Sequence, residues 1–448
     1  GLSRYGEFIC QYAMMPESES GVNTKPPLFT WVQASFFHLL GYIELAFRLP
    51  IALMTLALVA LFLLISRDLT GKLTWGCLSA LIMLTSRGIV TPHMSRTGDH
   101  DLPLLFFVFL QIVAFYLYLR SDYKESMYLI WLALGLILAT WTKSIMALFT
   151  LPGFFLYALS EKKLVPMLRQ RNIWWLILTY IAAVAGLYLY LNSQCPDFLG
   201  RVWRNDIANR YGDVMDGHEH PWYWYVQLMV TRDFMIWLPA FGLGIFMIFW
   251  KKDTLNSFFK LIGLVGISWL IVITTAQTKL EWYVAALYPM MAWVGGYGIW
   301  QLMESMFRWF KLQRQNLRLL VGGLLIVVIF TYPYYETLDR IYRGDQFYYK
   351  AEKYAHLMRD VERGFPEIRS YDGLYDTWNY HVSFYILVYN QTKGYDIRRY
   401  KKLENIETPS YVMMTQPKVI EEVKSTYRWE MVWSRNGGEL LKLLGPVD

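Results

Sequence analysis

Apolar stretches of about the length needed to cross a bilayer recur through the first three quarters of this 448-residue chain, with few charges inside them. The constraint is severe, because a backbone in hydrocarbon has to satisfy its own hydrogen bonds, and a repeated apolar run therefore means a bundle of helices. Ten candidate spans follow, near residues 44–66, 73–90, 101–119, 127–142, 145–160, 173–192, 234–250, 258–276, 282–304 and 317–334. With 55% hydrophobic and 18% charged residues, the chain is expected to be a mainly α polytopic membrane protein.

Alternate connections differ in charge. One set holds Arg67 and Lys72, Arg120 and Lys124, Lys162 to Arg171, Lys251 and Lys252, and Arg308 to Arg318, which marks the cytoplasmic side. The other set holds residues 1–43, the Asp99 loop, Lys143, the long segment 193–233, the Lys279 turn and the C-terminal tail, all facing outward. The net charge of +7 is explained by this orientation signal and does not call for nucleic acid. The chain begins at Gly1 on the outer side without an apolar segment to carry it across, so one further span is expected before it. Cys10 and Cys195 both fall in outer loops and could pair, whereas Cys77 lies in an apolar helix.

From Glu336 charged and aromatic residues replace the apolar runs, giving two expected domains, 1–335 in the membrane and 336–448 as a small α/β unit. In the latter, Tyr348–Arg363 and Val419–Thr426 read as helices, Ser383–Tyr389 and Ser410–Met414 as strands, and Asn436-Gly437-Gly438 as a hairpin turn.

Candidate chemistry lies in the outward segments. Asp99 and Asp101 flank His100 at the mouth of a span, where a carboxylate is costly unless it works or is paired. Two such acids suit general-base work or, with His100, a divalent cation. Capping of the helix beginning near Leu102 explains one of them but not the other, nor the adjacent Arg96. Lys25, in Thr24-Lys25-Pro26-Pro27, sits at a helix N-terminus, where a phosphate would be well held. Segment 193–233 offers Arg201, Arg204 and Arg210 as phosphate clamps. His218 and His220 around Glu219 match no established zinc spacing.

Taken together, Arg4-Tyr5-Gly6-Glu7, Thr24-Lys25-Pro26-Pro27-Leu28, Phe47-Arg48-Leu49-Pro50, Arg96-Thr97-Gly98-Asp99-His100-Asp101, Thr142-Lys143-Ser144 and Lys279-Leu280-Glu281-Trp282-Tyr283 resemble the aminoarabinose-transferase and protein-mannosyltransferase group of GT-C glycosyltransferases. The resemblance implies a GT-C fold and a polyprenyl-phosphate-linked sugar donor, used with inversion at the periplasmic face of the bacterial inner membrane. The acceptor it implies is lipid A, a glycan or a protein. By this likeness Asp101, ahead of Asp99, matches the family's second acid; Lys25 and Arg210 match the groups on the donor phosphate; and Arg4, Tyr5, Glu7, Arg96, Lys143, Lys279 and Tyr283 line the substrate site. The C-terminal domain, outward by the same topology, would bind the acceptor or cover the site. Two departures stand out: Thr24 replaces a glutamate, and Asp206 or a neighbour replaces a histidine, which puts the family's metal site in doubt. The resemblance also implies an acid in the first outer loop, at the head of the Arg-Tyr motif, that acts as base or orients the acceptor; here Gly1 and Leu2 occupy its place, or it precedes Gly1.

A multi-span transporter or flippase is the rival reading, and it requires a continuous polar path through the spans. Geometry separates the two: a transferase brings Lys25, Asp101 and Arg210 to one outward cavity.

Overall fold

The computed structural model describes residues 24–447 except 92, 215–216, 252, 344–345, 375–379, 401–405 and 436. Arg4, Tyr5, Glu7 and Cys10 lie outside the described residues. Cys195 is disulfide-bonded and Cys77 is free. Among the described residues one compact unit runs to Thr337 and a second begins at Leu338.

The first unit is helical. Its elements are α1 (Leu28–Leu40), α2 (Glu44–Thr70), α3 (Thr74–Leu84), α4 (Asp101–Arg120), α5 (Ser126–Lys143), α6 (Leu151–Ser160), α7 (Arg171–Gln194), α8 (Leu238–Trp250), α9 (Asn256–Thr275), α10 (Leu287–Trp309) and α11 (Gln315–Arg343). Among the described residues six helical segments are long and apolar enough to cross a membrane, or seven if Trp224–Asp233 and Met235–Trp250, a pair bent by 81°, form one crossing. The chain is therefore a multi-pass membrane protein, with fewer full-length spans than the ten expected.

The difference has local causes. Segment 73–90 gives only the 11-residue α3, which ends at Leu84; Thr85 and Ser86 beyond it turn their hydroxyls back onto the Leu81 and Ile82 carbonyls at 2.7 and 2.6 Å. Segment 145–160 opens as a 3₁₀ turn, Ser144–Leu148, before the 10-residue α6 begins with Pro152 in its first turn. Segment 282–304 likewise opens as a 3₁₀ turn, Glu281–Ala286, and α10 behind it is not among the six helices that are both long and apolar enough to span. That helix is enclosed by the bundle, with Tyr288, Trp293 and Tyr297 fully buried, so protein rather than lipid sets its composition.

Two helices define the centre. In α4, 83% of the spanning window is buried inside the protein, against 11% in α7, which stands at the periphery. Midway along α4, Gln111 is satisfied by the Thr150 hydroxyl at 2.7 Å and the Gly135 carbonyl at 3.1 Å, a neutral polar contact inside the core. Helices α8 and α10 meet backbone to backbone: a Cβ on Gly298 would lie 2.5 Å from the Gly244 nitrogen, and one on Gly244 would strike the Val294 backbone. Small residues are what permit such an approach between spans. At one end of the bundle the charged connections pair locally, Lys72 with Glu304, Arg120 with Asp68 and Lys260 with Glu161, each at 2.8 Å.

The C-terminal unit holds a five-stranded sheet, order β2-β1-β3-β5-β4, from β1 (Ser370–Leu374), β2 (Asp396–Tyr400), β3 (Ser410–Met414), β4 (Tyr427–Arg435) and β5 (Gly438–Pro446). Strands β1, β2 and β3 are parallel, and β5 and β4 continue the sheet antiparallel. Helices α12 (Gln346–Gly364), α13 (Tyr380–Thr392) and α14 (Pro417–Thr426) accompany it. The run 383–389, expected as a strand, is helical. Parallel β1 and β2 need a crossover between them, and α13 supplies it, overriding the local β-branched and aromatic character.

Gly244→Ala should destabilise the protein in detergent by about 1–3 kcal/mol, since no side chain can move to relieve a clash with backbone, whereas Gly242→Ala, with nothing within 4 Å of its Cβ, should leave the unfolding temperature unchanged.

Candidate active site

The acid loop is built around close packing. Gly98 fits because it lacks a side chain: a Cβ there would meet the Phe47 ring at 2.4 Å and the Gln33 amide at 2.6 Å. Gln33 of α1 donates to the Gly98 carbonyl at 2.8 Å, and Phe29 sets its ring edge-on to His100, centroids 5.5 Å apart. Helix α1 is thereby fixed against the loop, and the Lys25-Pro26-Pro27 segment leading into it is fixed too.

Helix α4 begins at Asp101 and its N-cap is His100, with no side-chain capping bond. Asp99 accepts the His100 backbone N–H at 2.6 Å instead, so it holds the turn before the helix. Its carboxylate also bonds His93 Nδ1 and lies 3.7 Å from the Lys25 ammonium. Burial alone would raise the Asp99 pKa, but Lys25 and the two histidine hydrogen bonds overcome it and hold the group well below the ordinary carboxylate range. The charge of Asp99 in turn raises the Lys25 pKa against the cost of burial. Burial lowers the His100 pKa, the Asp99 hydrogen bond opposing it.

Asp101 and Lys143 form a second ion pair, both side chains under a tenth exposed. Lys143 reaches it because α5 ends there: Ser144 takes a left-handed φ of 52°, and the chain turns into the 3₁₀ segment. Lys143 also lies over the Tyr283 ring, 5.6 Å from its centroid.

The long outer segment enters through a π-helix, Trp203–Ala208, a form that recurs at functional sites. It carries Asp206 inward, where the carboxylate is 3.5 Å from the Thr24 hydroxyl. Burial raises the Asp206 pKa, with Arg210 and Lys25 acting against it. One turn later, Arg210 donates to the Asn205 carbonyl at 3.0 Å and to the Tyr283 hydroxyl. The Lys279 turn is stitched to the same segment by Thr278 N–H to the Arg210 carbonyl, 3.1 Å, and Lys279 N–H to the His218 carbonyl, 3.0 Å.

A pocket of about 80 Å³ results, lined by Lys25, Lys143, Asp206, Arg210, Trp282 and Tyr283 among others. Asp101 lines an adjoining cleft that shares Trp282 and Tyr283. Asp99 borders this cluster through Lys25. Lys279 is buried with its ammonium on the Ala276 carbonyl at 2.9 Å, so it shapes the turn and lines neither cavity. Arg96 is half-buried and also lines neither. His220 stacks on Trp224 at 3.7 Å, outside the pocket.

The sequence reading passed over His93, which bonds Asp99, and did not place Trp282, which stacks on His93 with ring centroids 3.8 Å apart. No spacing rule marks His93; the two turns of chain between Ser86 and Asp99 bring it back.

His93, Asp99 and Asp101 each offer a ligand atom within 4.8 Å of the others, the one such trio among the described residues. The trio does not fit a divalent ion well, because each carboxylate already has an ammonium partner and a dication would stand among Lys25 and Lys143. Thr24 and Asp206 face each other elsewhere in the pocket without a third ligand.

Residues 24–190 match the family of dolichyl-phosphate-mannose-protein mannosyltransferases. The fold is similar to ArnT from Cupriavidus metallidurans solved bound to undecaprenyl phosphate, TM-score 0.68 at 13% identity, covering 95% of this chain and 89% of that one. It is similar to the apo form of that protein, TM-score 0.63 at 14% identity, over 99% of this chain and 90% of that one. A further likeness is the oligosaccharyltransferase AglB from Archaeoglobus fulgidus, in complex with an inhibitory peptide and a dolichol-phosphate, TM-score 0.52 at 10% identity over 95% of this chain and 66% of that one. No curated protein matches in sequence. Over residues 24–190 the chain is thus similar in sequence to that mannosyltransferase family, and over nearly its whole length it shares the fold of ArnT.

Removing one member of the buried pair should be expensive. Asp101→Asn or Lys143→Ala is expected to cost about 3–5 kcal/mol, as an uncompensated buried charge does, while the double variant Asp101→Asn with Lys143→Met recovers much of the loss in detergent unfolding measurements.

Proposed function

We propose that this chain is a glycosyltransferase that takes a sugar from a polyprenyl-phosphate donor at the periplasmic face of the bacterial inner membrane. Its acceptor is lipid A or another envelope glycan or protein, and the anomeric centre inverts. The observation that carries the reading is the meeting of Lys25 and Arg210 in one pocket, although 185 positions separate them in sequence (210 − 25).

The pocket volume suits a phosphate group rather than a whole lipid-linked sugar, so the sugar and the polyprenyl chain extend beyond it. Lys25, Lys143 and Arg210 bring three positive charges, and Asp99, Asp101 and Asp206 three negative ones. A phosphodiester adds one negative charge. Asp206 is the acid placed to absorb it, since burial raises its pKa and its neutral form can donate to a phosphate oxygen. As the bond from sugar to phosphate breaks, charge grows on the leaving phosphate and Lys25 and Arg210 gain in strength, which is where preorganised cations lower a barrier. Tyr283 holds Arg210 from behind and stands under Lys143, fixing both cations.

A transport path finds less support. Among the described residues of the membrane unit, the buried charged side chains Asp101, Lys143, Asp233 and Lys279 all sit at helix ends or turns, Asp233 held by Arg232 at 2.7 Å and the Tyr288 hydroxyl at 2.6 Å and the others by the contacts above, and the mid-helix polar contact at Gln111 is neutral and satisfied.

Lys25→Ala and Arg210→Ala should each reduce sugar transfer by about 10²–10³-fold. Mass spectrometry of envelope lipids, glycans and proteins from cells with and without the protein is the readout. An unchanged glycoconjugate profile would reject the transferase reading.

A further inference from the structure

Neither acid of the loop is poised to take a proton. Asp99 is committed to His93, to the His100 N–H and to Lys25, and those contacts hold it ionised far into the acid range, which makes it a weak base near neutral pH. Asp101 has one oxygen on Lys143, and its other oxygen is sealed from solvent without a hydrogen-bond partner among the described residues. An acceptor cannot reach it while the site has this shape.

His93 differs on every count. Its Nδ1 faces the Asp99 carboxylate, which fixes the tautomer with the proton on Nδ1 and leaves the Nε2 lone pair outward. Nε2 has no hydrogen-bond partner among the described residues, and the side chain is 39% exposed. The ring lies against Trp282, whose indole lines the pocket that holds Lys25 and Arg210. Its backbone is held at a φ of 66°, a conformation uncommon for any residue but glycine, with the N–H on the Thr97 hydroxyl at 3.0 Å. Such strain persists only where the surroundings enforce it, and it gathers at working sites.

We propose that His93, positioned by Asp99 and backed by Trp282, is the group that accepts the proton of the attacking acceptor. The assignment rests on the transferase reading and gives it a proton path. The acceptor's oxygen or nitrogen forms the new bond to the anomeric carbon, and the bond from that carbon to the phosphate oxygen breaks. Its electron pair leaves on the polyprenyl phosphate. The acceptor's proton passes to Nε2 and from there to water. Among the described residues, the charged and titratable groups around the imidazole are Asp99 and His100 on its own loop, Lys25 ahead of α1, Asp101 on α4 and Lys143 on α5. On the 281–283 turn, Glu281 is engaged by Arg232 and Tyr283 by Arg210.

The test uses membranes containing the full protein, with the cell's own polyprenyl-phosphate sugars and envelope acceptors as substrates. The rate of undecaprenyl phosphate release is followed from about pH 5 to pH 9, the range over which imidazoles titrate. His93→Gln should lower the rate about 10²–10⁴-fold and abolish the fall in rate on the acid side that the wild type shows. Competition by added undecaprenyl phosphate should be unchanged. His93→Gly suits the left-handed backbone and should fold, and added imidazole should restore part of its activity, which no loss of packing would allow. A wild-type acid limb in His93→Gln, no rescue of His93→Gly, or loss of that limb in Asp101→Asn alone would overturn the assignment and leave the transferase reading standing. If wild-type membranes release no more undecaprenyl phosphate than those carrying Lys25→Ala, both fall together.

Discussion

The ion pair between Asp101 and Lys143 is the interaction on which the membrane unit's active end depends. Both groups are buried where α4 starts and α5 stops, and either alone would be a charge at the edge of an apolar core. Pairing them aligns the outer ends of the two helices and fixes the point where Ser144 reverses the chain. The acid loop and the Tyr283 ring then have a rigid floor, since Lys143 touches both. A lysine in this place also does electrostatic work that a hydrophobic contact could not, because it offsets the Asp101 carboxylate beside the pocket.

From that floor the other charges are placed in a chain. Asp99 bridges Lys25 and His93, Lys25 faces the pocket that Asp206 and Arg210 also line, and Arg210 returns through Tyr283 to Lys143. Each cation in this ring is buttressed by an acid or an aromatic face, so little reorganisation is left for the moment when charge develops. The groups in it come from five separate segments of the chain, held by backbone hydrogen bonds and close packing as well as by side-chain contacts.

Much of this arrangement was legible in the sequence, and the reasons are physical. Lys25, Asp99 and Asp101 are charged groups next to long apolar runs, where an unpaired charge is costly enough to stand out, whereas Lys143 and Tyr283, and Arg210 among its neighbouring arginines, were marked by the family resemblance. The spans beginning at Glu44, Asp101 and Arg171 were clear for the same reason. Other features were hidden because local pattern does not encode them. The end of α3 at Leu84 and the 3₁₀ turn that opens at Ser144 with a positive φ are local backbone features that an apolar count reads through. The helix at 380–392 has the composition of a strand and is set by the parallel neighbours it connects.

His93 shows the limit most directly. It stands in an unremarkable Thr-Pro-His-Met run, six residues before Asp99, and no helical or strand spacing relates the two. What joins them is a backbone reversal held by Thr97 and Ser95, whose hydroxyls bond the His93 N–H and the Ile89 carbonyl at 3.0 and 2.8 Å. A loop of this kind returns a side chain to a site through its turns rather than through periodicity, so its functional member is found by geometry. In a site dense with lysine and arginine, Asp99 and Asp101 are drawn into ion pairs with Lys25 and Lys143. His93 meets Asp99 through Nδ1, which leaves Nε2 outside those pairs and makes it, under the proposal above, the group that receives the proton.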